Sequence, residues 1–167
     1  MARRGPEKKL SSEGLELVQK MIDLRRVTRV VAGGRRFSFR ATLVVGDRSG
    51  EVGVGIGKGK DTAMAIQKAF REARKHAIRV PITKGGSIAH DVMAKFSSAK
   101  VIMRPASEGH GLVAGSSVRV VLEFAGIRNA SAKILSHSKN KISNARAAIE
   151  ALKKIKSKDD TTAPAKT

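Results

Sequence analysis

The chain has 167 residues, with 34 Lys and Arg against 14 Asp and Glu, a formal net charge of +20. Such a protein repels itself without a counter-charge, and nucleic acid is the usual one, because each neutralised phosphate releases a condensed counterion. A membrane protein or a cationic secreted peptide is not expected: no apolar run approaches the roughly 18 residues of a spanning helix, and the first residues lack an apolar signal core.

Residues 1–13 are polar, basic and broken by Gly5 and Pro6, which predicts a disordered basic arm. Ser12 is placed to cap a short helix whose apolar side is Leu15, Val18 and Ile22, with Met21 at its edge. Arg25 to Ala32 reads as extended. Gly33-Gly34 then separates it from a second run in which Phe37, Phe39, Ala41, Leu43 and Val45 alternate with Ser38, Arg40 and Thr42. A Gly pair between two such runs predicts a hairpin with positive φ at both central residues. After a turn at Gly46–Gly50, a third strand is expected to turn Val52, Val54 and Ile56 to the core and Gly53, Gly55 and Gly57 away from it.

A helix is predicted from Asp61, its N-cap, to about Arg79 before Pro81. Its apolar line is Ala63, Ile66, Phe70, Ala73 and Ala77, and Lys68, Arg71, Lys75 and Arg79 form a basic stripe on the other side. The first module thus reads α-β-β-β-α, over residues 14–80. In the second, residues 81–156, Pro81 to His90 and Val92 to Pro105 read as strands, turning at Lys84-Gly85-Gly86 and Ser97-Ser98. Gly109 to Gly115 is a flexible Gly-rich stretch leading into Ser116 to Ala125, apolar almost all round and expected to be buried. Asn129 to Ser136 reads as a strand, and Ile142, Ala145, Ile149, Leu152 and Ile155 mark a final helix. Residues 157–167 are expected to be a disordered tail. The fold class is α+β, in two modules with separate cores.

Several chemistries are not expected. With no Cys there is neither a disulfide framework nor a thiolate zinc site, which agrees with a reducing, cytoplasmic setting. His76, His90, His110 and His137 show no ligand spacing, so neither metal nor cofactor is expected. Gly53 to Lys60 matches neither G-x-x-x-x-G-K-[ST] nor G-x-G-x-x-G, because Val54 and Lys58 stand where glycines belong. Its glycines are better explained by close approach of another surface. Ser107, Glu108 and His110 are close in sequence but have no orienting partner for a triad, so no enzyme and no small-molecule substrate are expected. Trp and Tyr are absent, which disfavours stacking of single-stranded bases on aromatic platforms.

The basic residues carry the function. Residues 25–60 hold nine of them (Arg25, Arg26, Arg29, Arg35, Arg36, Arg40, Arg48, Lys58 and Lys60) against Asp47 and Glu51. Most are Arg, whose planar fork pairs with phosphate at two points. All of these except Arg48, together with Gly33, Gly34 and Lys68, make the candidate RNA-binding set. Ser107, Glu108, Gly109, His110, Gly111 and Arg119 mix charges on a Gly-rich backbone, which suits a protein partner.

The run from Arg26 through Gly33-Gly34 to Phe39, then Val44 to Asp47, Val52 to Lys58, Ala65 to Ala69, Pro105 to Gly115 and Val121 to Ile127 resembles bacterial ribosomal protein five of the small subunit, over about residues 15–155. The resemblance implies an N-terminal domain of double-stranded-RNA-binding type followed by a C-terminal α/β two-layer domain. It implies as partners the small-subunit ribosomal RNA, ribosomal proteins four and eight, and messenger RNA on its way into the subunit. It further implies a place where head and body meet and an influence on translational accuracy. The Val31-to-Phe37 hairpin would reach RNA, and Ser107 to Gly111 with Arg119 would face protein four. A free-standing duplex-RNA binder or RNA chaperone is the alternative. Four positions depart from the family pattern: Arg25 replaces the usual Asn, Ala32 the usual Lys, and Lys141 and Ser143 the Pro and the second Asn of an Asn-Pro-x-Asn helix start. Asp61-Thr62-Ala63 also lacks the lysines that free-standing double-stranded-RNA domains carry at the start of their second helix, which favours the hairpin as the RNA contact.

Overall fold

A computed structural model describes residues 8–12 and 15–155. The first sheet has five antiparallel strands in chain order: β1 (Lys8–Ser12), β2 (Leu15–Val31), β3 (Gly34–Gly46), β4 (Glu51–Gly59) and β5 (Ile78–Arg79), with α1 (Thr62–Lys75) between β4 and β5. The second half contains β6 (Val92–Phe96), β7 (Ala99–Pro105), β8 (Leu112–Val113), α2 (Ser116–Ala125), β9 (Ala130–Ile134) and α3 (Lys141–Lys153). Its sheet runs β6-β7-β9-β8, with only β8 and β9 parallel. The α+β class stands, and α2 and α3 over the second sheet make the two-layer half. Four sequence expectations are overturned here. Leu15–Ile22 is not a helix but the start of the 17-residue strand β2, and Lys8–Ser12, assigned to the arm, pairs with it. Pro81–His90 is irregular, and α1 stops at Lys75 so that Ile78 can pair with Val52. The tail from residue 157 lies outside the described residues.

β2 misleads because it is covered on both faces. Leu17 packs with Val45 and Ala73, while Val18 and Ile22 pack against the second half. A strand buried on two sides loses the polar-apolar alternation that identifies it, and its spacings then imitate a helix. The same holds for residues 41–46 of β3, all of them buried. Ala41 and Leu43 meet Ala65 and Ala69 of α1; Val44 belongs to the core shared with α2 and α3. The layers are therefore α1, first sheet, α2 with α3, second sheet. The cores are not separate: the largest cluster unites Val44, Val52 and Val54 with Val121, Phe124 and Leu152.

Val52 and Val54 enter a core as expected, but the side that the glycines of β4 face is packed as well. A Cβ on Gly53, Gly55 or Gly57 would overlap the carbonyl oxygen of Ala73, Ala69 or Ala65, so it is α1 that approaches, backbone on backbone. Val52 and Val54 point instead into the core shared with the second half. Close approach by another surface, the reason assigned to these glycines, holds, and the surface is the protein's own helix. The halves are also joined by backbone. Asp47 Oδ1 accepts from the amides of Ser49 (2.7 Å) and Glu51 (2.9 Å), which shapes a turn whose Arg48 amide donates to Phe124 O at 3.1 Å. Gly126 ends α2 with φ +89, and any side chain there would overlap the Arg48 carbonyl.

Candidate nucleic-acid interface

Beyond the Phe39–Gly59 pair β4 ends, and β1 reaches only to Gln19. The β2–β3 hairpin therefore continues alone as a two-stranded arm, roughly 20 Å long at about 3.4 Å per residue. Its turn falls on Ala32-Gly33, one residue earlier than the Gly pair suggested, and the positive φ falls on Gly34 (+130) alone. A Cβ on Gly33 or Gly34 would meet nothing within 4 Å, so the tip is open.

Register decides what the arm presents. Arg25 stands directly opposite Arg40, and Arg29 opposite Arg36; Lys58 flanks Arg40 from β4. Opposed residues share a face, so these five cations form one ladder, on the side toward the second half. Like charges so placed destabilise the ribbon, and Asp23, 3.0 Å from Arg25 Nε, is the single acid bonded to it among the described residues. Arg29, Arg35 and Arg36 make no ion pair among those residues, and Arg40 Nε is buried without an acceptor there. The other face carries Arg26, Phe37, Phe39, Val30 and Arg35. The Arg26 guanidinium lies 4.5 Å from the Phe37 ring centre, a stacking contact that holds it flat. Lys60 is exposed just past β4. Lys68 is exposed on α1, which covers the opposite face, so it does not join the ladder.

A β-bulge creates this arrangement. Met21 pairs with Leu43 but Asp23 with Thr42, so Ile22 is an extra residue in β2. Side chains alternate along a strand, and one added residue turns every later one over. Without it, Arg25 and Arg29 would share a face with Phe37 instead of Arg36 and Arg40. Nothing in the sequence marks the bulge, since Ile22 suits a strand equally well on either side.

Ser107 to Gly111 form a turn closed by the His110 amide donating to Ser107 O at 3.2 Å, with Gly109 (φ +86) and Gly111 (φ +76) open to solvent. Asn129 ties it to the Lys84–Gly86 turn: its Nδ2 donates to Gly85 O (2.9 Å), and its Oδ1 accepts from the Gly111 amide (3.1 Å). Arg119, on α2, does not line the same hollow as Glu108. It faces a groove of about 640 Å³ with Lys20, Arg48, Glu123 and Arg128, while Glu108 lines the neighbouring one. Gly126 and Arg128 border both. Sequence reading missed Asn129 and Arg128, which become neighbours of this turn only through the second sheet.

Residues 17–81 match the model of the ribosomal protein S5 N-terminal domain, and residues 94–164 that of its C-terminal domain. The chain belongs to the ribosomal protein S5 family. A small ribosomal subunit protein uS5c of Rhodomonas salina is 47% identical over 156 residues, covering 93% of this chain and 92% of its own. A small ribosomal subunit protein uS5 of Nostoc punctiforme is 46% identical over 154 residues, covering 92% of this chain and 87% of its own. The chain is thus a structural, non-enzymatic constituent of the small ribosomal subunit, with ribosomal RNA as the counter-charge that its composition demanded. No helix among the described residues is long and apolar enough to cross a membrane.

Proposed function

We propose that the β2–β3 arm is the element that holds small-subunit ribosomal RNA, with the arginine ladder Arg25, Arg29, Arg36 and Arg40 gripping phosphates and Arg26 and Arg35 serving the other face. Residues 14–80 and 81–156 act as its two domains, placed where head and body meet and beside the path of messenger RNA into the subunit. The observation that carries this reading is the pairing of Arg with Arg across the ribbon. Such pairs weaken a free arm and are relieved when each guanidinium takes a phosphate in a two-point contact. Changing Arg29 and Arg36 together to Ala should weaken binding to a small-subunit ribosomal RNA transcript and flatten its salt dependence by about 1.5–2 logarithmic units, the slope of two phosphates. Changing Lys153 and Lys154, which bond to Glu150 and to Met93 O, should do far less. Equal losses from the two pairs would mean that total charge alone matters.

The Ser107–Gly111 turn and Arg119 serve as the surface for ribosomal protein four, with protein eight as a further neighbour, and through that contact influence accuracy. Gly109 supports this: the space around its Cβ position is empty, so an introduced side chain points away from this fold, at the cost of the local backbone strain that φ +86 imposes on an L residue. Gly109→Arg or Arg119→Glu should raise misreading in a reporter strain and leave subunit yield nearly normal. Unchanged accuracy would remove this surface from the decoding step.

A further inference from the structure

Asp23 is the only acidic residue from Leu17 to Gly46, a stretch otherwise rich in arginine. Its side chain is 11% exposed, and its two carboxylate oxygens serve different elements. Oδ2 lies 3.0 Å from Arg25 Nε at the base of the arm; Oδ1 lies 3.7 Å from Lys141 Nζ, on the first residue of α3. The bulge at Ile22 turns Asp23 toward the second half. An exposed ion pair would contribute little, but a carboxylate this withdrawn from water is costly when either partner is lost. Lys141 benefits too, because a cation at a helix N-terminus opposes the macrodipole and a neighbouring anion offsets that. Arg25 and Lys141 are two of the four departures from the family pattern, and one carboxylate joins them.

We propose that Asp23 is a positioning residue: it clasps the base of the arm to the head of α3 and so sets the angle at which the arginine ladder meets RNA. The inference rests on the arm being the RNA-binding element. A two-stranded ribbon is pliable alone, and fixing its base removes ordering cost from the binding step. The charge of Asp23 has the wrong sign for RNA. Electrostatics alone therefore predicts that removing it strengthens binding, and positioning predicts the reverse.

Asp23→Asn in the full chain raises the formal net charge from +20 to +21, one negative charge being lost. Its affinity for a small-subunit ribosomal RNA transcript should nonetheless fall about fivefold, as lost preorganisation requires. Lys141→Gln guards against misfolding by the first variant, since it changes an exposed side chain. It should weaken binding more than Lys139→Gln, which removes an equal charge that makes no ion pair among the described residues. Arm geometry is read separately. The chain has no Cys, so cysteines introduced at Ala32 and Lys95, both exposed, accept spin labels at those sites alone. The distance distribution without RNA should be narrow in the parent and broader in Asp23→Asn and Lys141→Gln. Unchanged distributions in both variants overturn the clasp whatever RNA does, and so does tighter RNA binding by Asp23→Asn. Broader distributions with unaltered affinity uphold the clasp and overturn the arm as the RNA-binding element.

Discussion

The two ends of the β2–β3 hairpin share strands, hydrogen-bonding pattern and twist, yet obey different constraints. At the base, residues 41–46 are buried on both faces, by α1 on one side and by α2 and α3 on the other. At the tip, Val30 is 75% and Phe37 50% exposed, and like charges face each other. Packing orders the base, and the tip stands open to solvent. What a residue contributes therefore depends on its distance from the bulge more than on its type. Glycine makes the point: Gly55 has no room for a methyl group, and Gly33 has nothing but room.

That contrast can be broken by mutation. Gly55→Val should be the most damaging single change, costing about 4 kcal/mol or more, because the obstructing atoms are the backbone of α1 and cannot swing aside. Gly33→Ala should stay within about 0.5 kcal/mol. Denaturant unfolding compares the two, and similar losses would dissolve the distinction between base and tip. Phe124→Ala, at a fully buried position in the shared core, should cost about 3–5 kcal/mol and loosen the two halves together in one transition. Separate transitions for the two halves would restore the picture of independent cores.

Changing Arg29 and Arg36 to Ala should leave stability unchanged or raise it by up to about 0.5 kcal/mol, since a repulsive cross-strand pair is removed. Its RNA affinity moves the opposite way, and a thermal melt beside a binding titration reveals the divergence. Phe37→Ala, which frees Arg26 from its ring, should cost about 0.5–1 kcal/mol in a melt. A larger loss would mean that the tip packs more firmly than its exposure indicates.

Much of this was legible from local pattern. The hairpin, the β6–β7 turn at Ser97-Ser98, burial of the apolar residues Val118, Val121, Leu122, Phe124 and Ala125, and the last helix follow from turn chemistry and periodicity that need no partner to be read. The basic residues of the arm were legible as a set, since cations crowded along one segment with almost no acids among them demand a polyanion. Illegible were the features set by contact with something distant in sequence. Leu15, Val18 and Ile22 look like one side of a helix until Leu17 and Val18 are seen to pack on opposite faces of a strand.

Composition by itself determined that this chain needs a polyanion, and spacing determined the β2–β3 hairpin and the helices α2 and α3, because charge sums and side-chain periods are local properties. Only tertiary structure decided that four arginines share a face, that Asp23 and Lys141 meet, and that the halves share a core. A bulge changes orientation without changing composition, and a core forms between surfaces whose residues lie up to about a hundred positions apart, as Val44 and Ala145 do.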